Sequence, residues 1–168
     1  MITIKETTLD DIKNVQSLWA DGDVMKFVGF PDGYHTSNEE MADWFDWIVA
    51  TRPMTNDFAI YEDSQYCGEV SYDIDPEQHS ASLDIKLFKF ARGRGIATMA
   101  LTHSIDQAFK NGAEFAWVDP NPENEKALAL YNRLGFVKKP MPQFVIDMGE
   151  DPDFYVYMEL DKKSWQSR

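Results

Sequence analysis

The stretch FKFARGRGIATMALTHSIDQAF, from Phe88 to Phe109, contains the end of a predicted strand, a basic glycine turn and a predicted helix. Gly93 and Gly95 allow the backbone of the turn to approach a ligand closely. The first N–H groups of the helix have no intrahelical partner and carry the positive end of its dipole, which favours a bound anion. No Gly-Lys-Ser/Thr follows, and Thr98 replaces the third glycine of G-x-G-x-x-G. The turn by itself therefore indicates an anion site, and the alternative is a tight bend with solvated arginines.

Composition restricts the class of protein. The chain has 168 residues, enough for one domain with a sizeable core. Asp and Glu number 29 against 16 for Lys and Arg, which gives a net charge of −13. A nucleic-acid-binding protein is expected to show a basic surplus, so no nucleic-acid partner is predicted. The acidic balance is typical of a solvated surface, or of attraction for a cationic small molecule or basic peptide.

Targeting and metal signals are weak in this sequence. No apolar run approaches the ~20 residues of a membrane helix, and the first residues do not resemble a secretory signal. Cys67 is the only cysteine, which excludes an intrachain disulfide and suggests a reducing, cytoplasmic location. His35 and His79 have no companion ligands in sequence, so no metal and no membrane partner is predicted.

Hydrophobic periodicity predicts the element order β-α-α-β-β-β-α-β-α-β-β. This order indicates an α/β (α+β) fold with a mixed central sheet of about seven strands and helices on both faces. The strands are predicted at 2–5, 58–61, 65–75, 81–90, 114–120, 137–146 and 154–160. The helices are predicted at 7–20, at 37–50, after the glycine turn, and from Asn124 to a stop at Gly135. The long loop from Asp21 to Tyr34 is typical of a substrate-site wall.

A second motif, DPNPENEKALALYNRLGF, runs from Asp119 to Phe136. Together with the glycine turn it resembles the GCN5-related N-acetyltransferase (GNAT) superfamily. The family loop Q/R-x-x-G-x-G/A is matched by Arg92, Gly95 and Ala97. The family helix N-x-x-A-x-x-x-Y-x-x-x-G-F is matched by Asn124, Ala127, Tyr131, Gly135 and Phe136. The resemblance covers nearly the whole chain and implies a single GNAT domain over residues 1–168.

The resemblance implies acetyl-CoA as co-substrate. The loop amides would hold its pyrophosphate, the strand before the loop would pair with the pantetheine arm, and the Tyr131 hydroxyl would act as general acid toward the thioester sulfur. The alternative for Tyr131 is a core tyrosine. Lys89, Phe90 and Ala91 depart from the residues that the family often has there. The implied cofactor-binding residues are Leu87, Phe88, Lys89, Arg92, Gly93, Arg94, Gly95, Ile96, Ala97, Thr98, Asn124 and Tyr131.

The acceptor amine requires a base. A lysine-like amine has a pKa of about 10, so only ~0.1% is free base at pH 7, and a carboxylate or an oriented water would remove its proton. Asp84 and Glu69 are the candidate catalytic carboxylates, because both lie on strands expected to line the cleft. Asp119 at the end of the next strand is a further candidate. The alternative to a catalytic role for Asp84 and Glu69 is that each is a surface carboxylate. The alternative for Asp119 is that it forms a turn before a proline.

The expected activity is N-acetyl transfer from acetyl-CoA to a primary amine by direct attack through a ternary complex, which makes the protein an acyltransferase. The helix motif looks like the branch of ribosomal-protein N-terminal acetyltransferases, and DPNPEN resembles a segment of some aminoglycoside 6'-N-acetyltransferases. The partner is then a small-molecule amine or a peptide or protein amine, and a homodimer is compatible with the family. The alternatives are an aminoglycoside or polyamine acetyltransferase specifically, a non-catalytic CoA-binding protein, or a nucleotide-phosphate module.

Overall fold

Seven strands form one mixed sheet in the order β1-β2-β3-β4-β5-β7-β6. The computed structural model describes every residue from Met1 to Arg168. Only β4 and β5 are parallel neighbours, and every other adjacent pair is antiparallel. The strands are β1 (Ile2–Glu6), β2 (Thr55–Glu62), β3 (Gln65–Asp75), β4 (Ser80–Leu87), β5 (Phe115–Val118), β6 (Val137–Lys138) and β7 (Met158–Asp161). The predicted mixed sheet of about seven strands is confirmed.

The helices begin at the caps that the sequence indicates. Ser37 and Glu40 form a capping box at one helix, and the Asn124 side chain accepts a hydrogen bond from Ala127 N–H at another. None of the helices combines the length and the hydropathy that a membrane span requires. The helices are α1 (Ile12–Trp19), α2 (Gly22–Met25), α3 (Asn38–Thr51), α4 (Ile96–Lys110), α5 (Glu125–Leu134), α6 (Gln143–Asp147) and α7 (Lys162–Gln166), with single 3-10 turns at 9–11, 26–28 and 89–91.

Helices cover both faces of the sheet, as predicted. α4 packs its buried Leu101 and Ile105 on β3 and β4, and these residues belong to the main core of 24 buried side chains. On the opposite face, α1 and α3 pack Val15, Leu18 and Met41 against β2 and β3. Because residues of one strand alternate between these two faces, each position of β3 and β4 can be assigned to one side.

Two predicted segments were wrong. The strand expected over 137–146 ends at Lys138, and α6 follows from Gln143. Pro140 and Pro142 lack the N–H groups that a strand ladder requires, so the pairing stops before them. The loop expected from Asp21 to Tyr34 contains α2, whose first amides are capped by the Asp21 side chain. The short helix α7 had no clear signal in the sequence.

Candidate active site

The sheet opens between its two parallel strands. β4 and β5 pair only at their beginnings, where Ser80, Ala81 and Ser82 lie opposite Phe115, Ala116 and Trp117. Beyond Ser82, β4 continues to Leu87 and pairs only with β3. The backbone of β4 from Leu83 to Leu87 therefore presents an edge without a strand partner on the β5 side. An extended ligand chain can pair with such an edge.

The glycine turn closes this opening at the N-terminus of α4. Gly93 and Gly95 have φ angles of +75° and +80°, in the left-handed region that favours glycine. A Cβ at either position would meet no atom within 4 Å, so the turn borders open space. The N–H groups from Gly95 to Thr98 have no acceptor in the protein. The geometry expected of an anion site is thus present at the predicted residues.

The two arginines of the turn are engaged by protein groups. Arg92 donates from Nη2 and Nε to the Leu87 carbonyl at 2.9 and 3.2 Å, and from Nη1 to Asp23 Oδ2 at 2.8 Å. Arg94 forms an ion pair with Glu62 at 2.9 Å. Arg92 therefore organises the end of β4, and the open amides are the groups free to receive an anion.

The connection between α1 and α3 lies against both loops that flank the opening. Asp23 of α2 is held by Arg92 of the glycine turn. Asn121, in the loop between β5 and α5, donates from Nδ2 to the Phe27 carbonyl at 3.4 Å. The connection predicted to be a site wall is therefore attached to the β4–α4 loop and to the β5–α5 loop.

Tyr131 lies on α5 and its side chain is buried, with 6% of the residue exposed. Its ring packs edge-on against Phe136 at 5.5 Å between centroids. Its hydroxyl forms no hydrogen bond within the protein, and it is not completely enclosed by the protein. Burial, together with the negative charges of Asp84 and Asp119, raises the pKa of Tyr131, so the phenol is held in its protonated form.

Asp119 follows β5 immediately, where the two parallel strands have separated. Its Oδ2 atom is buried and has no hydrogen-bond donor. The carboxyl group of Glu150, from the segment after α6, lies near enough to raise the pKa of Asp119. Burial, the contact with Glu150 and the charge of Asp84 raise the pKa of Asp119 to about 8. Asp119 therefore keeps its proton to a large extent at neutral pH.

The two carboxylates predicted from the sequence, Asp84 and Glu69, lie on the same sheet face and bracket Lys86. Lys86 forms ion pairs with Asp84 and, at 3.7 Å, with Glu69. Burial opposes the charged form of Lys86, but the two carboxylates outweigh it and raise the pKa of the ammonium. Asp84 keeps 46% of its side chain exposed, whereas Glu69 keeps 5%. Asp84 therefore faces the opening, and Glu69 lies beneath it.

Glu69 also interacts with side chains of α1 and β2. Trp19 donates from Nε1 to Glu69 Oε1 at 2.9 Å. Asp57 on β2, which accepts from Thr7 Oγ1 at 2.6 Å, is a buried carboxyl that interacts electrostatically with Glu69. Burial and the charge of Glu69 raise the pKa of Asp57 well above its ordinary value. The contacts with Trp19 and Lys86 hold Glu69 within the fold, with 5% of its side chain exposed.

The family assignment rests on a match over most of the chain. The family model described as an acetyltransferase (GNAT) domain matches residues 2–137. This chain belongs to the GNAT acetyltransferase family. The enzyme class expected from the sequence, an acyltransferase that uses acetyl-CoA, is confirmed at the level of the family. The narrower placement beside ribosomal-protein N-terminal acetyltransferases stays a prediction.

Two curated N-acetyltransferases match this chain over part of their length. An uncharacterized N-acetyltransferase of Methanocaldococcus jannaschii is 28% identical over 144 residues, which cover 82% of this chain and 61% of that protein. An N-alpha-acetyltransferase of Arabidopsis thaliana is 43% identical over 47 residues, which cover 28% of this chain and 25% of that protein. This chain thus spans less than two thirds of the curated relatives that it matches.

The GNAT fold is also evident from a solved structure. Spermidine N-acetyltransferase from Vibrio cholerae, in complex with CoA and spermine, superposes with a TM-score of 0.79. The match covers 98% of each chain at 16% sequence identity. Likeness at that identity establishes the shared fold, and the amine bound by that protein is a property of that protein.

The residues present fit the acetyl-CoA that GNAT enzymes use. The open amides at the start of α4 suit a pyrophosphate, and the free edge of β4 suits the amide-bearing pantetheine arm. Asn124 uses Oδ1 to cap α5, which leaves its Nδ2 group available to a ligand. No group of three or more His, Cys, Asp or Glu side chains is arranged to hold a metal ion.

Sequence reasoning missed Glu150 and Asp57. Glu150 lies 31 positions after Asp119 in the chain numbering, in a segment without periodicity. Asp57 occupies a buried position of β2 where the alternation of apolar residues is interrupted by a carboxylate. A buried acidic residue within a strand is itself a signal, because such groups are rarely buried without a partner. The partners themselves could not be read from the sequence.

Proposed function

We propose that this protein is an acetyl-CoA-dependent N-acetyltransferase whose acceptor is a primary amine, attacking the thioester directly within a ternary complex. The observation that carries the proposal is the meeting of three features where β4 and β5 separate. These are the open amides of the glycine turn, the free edge of β4, and the unpartnered Tyr131 hydroxyl, whose pKa is raised by burial and by the charges of Asp84 and Asp119. Residues 1–168 act as one domain in this proposal, because β1 and β7 belong to one continuous sheet.

The binding residues for acetyl-CoA follow from the opening. The amides from Gly95 to Thr98 hold the pyrophosphate, with Gly93 and Gly95 allowing its close approach. Leu87, Phe88 and Lys89 lie where β4 leads into the turn and receive the pantetheine arm, with Asn124 on the other side. Arg92 supports this surface by fixing the Leu87 carbonyl, and Arg94 contributes positive charge from the rim.

Tyr131 is the proposed general acid. When bound, acetyl-CoA supplies an acetyl thioester, whose sulfur needs a proton as it leaves. The Tyr131 hydroxyl keeps its proton at neutral pH because its pKa is raised, and no protein acceptor competes for that proton. A positioned acid contributes typically about 10²–10⁴-fold to such a step. The core-tyrosine alternative leaves the unpartnered, incompletely enclosed hydroxyl without an explanation.

Asp119 is the proposed general base. A base works best when its pKa lies near the working pH, and Asp119 has a pKa of about 8 with an unpartnered Oδ2 atom. Asp84 remains a proposed site carboxylate that attracts the ammonium form of the acceptor, since it faces the opening beside Lys86. Glu69 is proposed to position Lys86, because its carboxylate is enclosed by Trp19, Lys86 and Asp57.

Direct attack is preferred to an acyl-enzyme. Cys67 is the one thiol in the chain, and it is buried. Burial raises the pKa of this thiol, which lowers the amount of thiolate available for attack. A ternary complex, in which the amine itself attacks the thioester, needs no such nucleophile.

The test is release of CoA thiol from acetyl-CoA across monoamines, diamines, aminoglycosides, amino acids and N-terminal peptides. Acetylation of any amine, with intersecting rather than parallel initial-rate lines, is the expected result. Parallel lines, typical of ping-pong kinetics, would exclude the ternary complex. A thermal-shift comparison provides a second check. Stabilisation by acetyl-CoA and not by ATP is expected, whereas binding without turnover on every amine would favour a non-catalytic CoA-binding protein.

A further inference from the structure

A cavity of about 230 Å³ lies on the same sheet face as Asp84 and Asp119. Its floor is a row of paired residues, because Asp73 of β3 lies opposite Ser82 of β4, which lies opposite Trp117 of β5. The next row outward pairs Asp75 with Ser80. Its full lining is Asp73, Asp75, Ser80, Ser82, Trp117, Phe144 and Met148. We call this the Asp73 groove.

The Asp73 groove continues the opening toward the start of β4. Asp84 lies two residues beyond Ser82, and Asp119 lies two residues beyond Trp117. Because side chains alternate faces along a strand, each is on the same side of the sheet as the groove. At about 3.3 Å per residue, Ser82 is ~7 Å from Asp84 along the strand and Ser80 is ~13 Å away. Acetyl-CoA is expected at the opposite end of β4. The groove therefore lies on the acceptor side of the reacting centre.

A buried hydroxyl points to a ligand in the groove. Ser80 is 1% exposed, and its Oγ atom has no hydrogen-bond partner in the protein, although Ser80 lines the cavity. A buried polar atom of this kind is normally satisfied, so its partner has to come from outside the chain. A water molecule or the N–H donor of a ligand would meet this need.

The charge of the groove identifies the kind of donor. Asp73 uses Oδ1 to accept from Thr55, and Asp75 uses Oδ1 to accept from two turn amides, so each keeps its second oxygen without a protein donor. No Lys or Arg lines the groove. Trp117 and Phe144 supply aromatic surface, which attracts both methylene groups and ammonium groups. These features suit an alkylammonium chain.

From this geometry we infer that the Asp73 groove binds the second ammonium group of a linear aliphatic diamine or polyamine whose first amine is acetylated beside Asp119 and Tyr131. This inference rests on the proposed function for the identity of the reacting centre. The second nitrogen lies ~7–13 Å from the first, which is the distance from Asp84 to Ser82 and Ser80. Longer diamines within this range are accordingly better acceptors than short ones or monoamines.

Two paired variants test the groove. Asp73→Asn/Asp75→Asn removes two negative charges from it, and Asp43→Asn/Asp46→Asn removes two from the exposed surface of α3. We expect the first pair to raise KM for diaminohexane about fivefold, because each partly exposed charge pair contributes modestly, and to leave KM for butylamine unchanged. The control pair is expected to change neither. Ser82→Lys, which places a cation in the groove, is expected to abolish the preference for diamines over butylamine.

The acceptor series runs from diaminopropane to diaminooctane, with butylamine as the monoamine. Equal kcat/KM for butylamine and all diamines, or equal losses in the groove and control variants, would overturn the inference. Calorimetric titration of the protein with diaminohexane separates this result from a failure of the proposed function. Binding that is weakened by Asp73→Asn/Asp75→Asn supports the groove even without acetyl transfer. Absence of binding in the wild type means that Ser80 is satisfied by water only, and the inference fails.

Discussion

Arg92 in the glycine turn donates to the Asp23 carboxylate at 2.8 Å, across 69 positions of the chain. The same guanidinium holds the Leu87 carbonyl at 2.9 Å. Desolvation opposes the ionised form of Asp23, but the positive charges of Arg92 and Lys26 lower the pKa of this carboxyl. One side chain thus connects the proposed acetyl-CoA loop with the wall on the acceptor side.

We expect Asp23→Asn to raise KM for the amine by a few fold while leaving the affinity for acetyl-CoA within about twofold, since partly exposed ion pairs contribute about 0.2–1 kcal/mol. Arg92→Ala removes both contacts, so it is expected to weaken acetyl-CoA binding and raise the amine KM together. The measurements are steady-state kinetics and calorimetry with acetyl-CoA. If Asp23→Asn and Arg92→Ala changed the amine KM and the acetyl-CoA affinity equally, the Arg92–Asp23 contact would not act on the amine side alone.

Tyr131→Phe is expected to lower kcat by about 10²–10⁴-fold. Affinity for acetyl-CoA should change little, because the hydroxyl makes no hydrogen bond in the protein and acts on the departing sulfur. The melting temperature should also remain near that of the wild type, since the buried ring is retained. Rapid-quench kinetics, acetyl-CoA titration and thermal denaturation check the three quantities. An unchanged kcat would remove the general-acid role and return Tyr131 to the core.

Gly95 and Gly112 provide a matched pair at the two ends of α4. Both have positive φ, and a Cβ at either would meet no atom within 4 Å. Substitution with Glu therefore imposes similar backbone strain, of order 1–3 kcal/mol. Gly95→Glu places a carboxylate at the proposed pyrophosphate site and is expected to abolish acetyl-CoA binding, whereas Gly112→Glu is expected to retain it. Calorimetry on both folded variants decides, and retained binding by Gly95→Glu would refute the loop assignment.

Glu150→Gln is expected to move the acidic limb of the pH profile of kcat/KM to lower pH. Burial, the contact with Glu150 and the charge of Asp84 raise the pKa of Asp119 to about 8, so the wild-type rate should rise with pH through about 8. Removing the Glu150 carboxyl lowers that pKa, and each unit of the shift corresponds to ~1.4 kcal/mol. Asp119→Asn should remove most activity. Glu123→Gln, on the exposed loop before α5, is the control and should leave the pH of the acidic limb of kcat/KM unchanged.

Asp57→Asn tests the buried network beneath the site. Burial and the charge of Glu69 raise the pKa of Asp57 above its unfolded value of about 3.9, so the folded protein keeps a proton that the unfolded chain releases. This stabilisation is complete below about pH 4 and is lost as pH rises toward the folded pKa, by at most ~1.4 kcal/mol per pH unit. The amide of Asn can still accept from Thr7 and donate to Glu69. In urea unfolding, Asp57→Asn should therefore gain stability relative to wild type as the pH rises above about 5. The stability of exposed Asp43→Asn should show the same pH dependence as that of the wild type.

The sequence by itself determined the local structure around the site. Ser37 with Glu40 and Asn124 with Ala127 form the predicted caps, and Gly95 and Gly135 adopt the left-handed conformation at the ends of helices. These features depend on residues within four positions of one another, so the sequence contains all of their partners. The two motifs at the strand–helix junctions sufficed to place the chain in its family.

Only the tertiary structure decided which charged groups meet. Glu150 raises the pKa of Asp119, Arg92 contacts Asp23, and Asp73 lies in one row with Ser82 and Trp117. The predicted strand over 137–146 fails because prolines interrupt its ladder, and the helix that replaces it carries Phe144 to the groove. Such contacts depend on strand register and on the separation of β4 from β5. Register is set by pairing between distant segments, so local periodicity indicates which face a residue occupies but not its neighbour on the next strand.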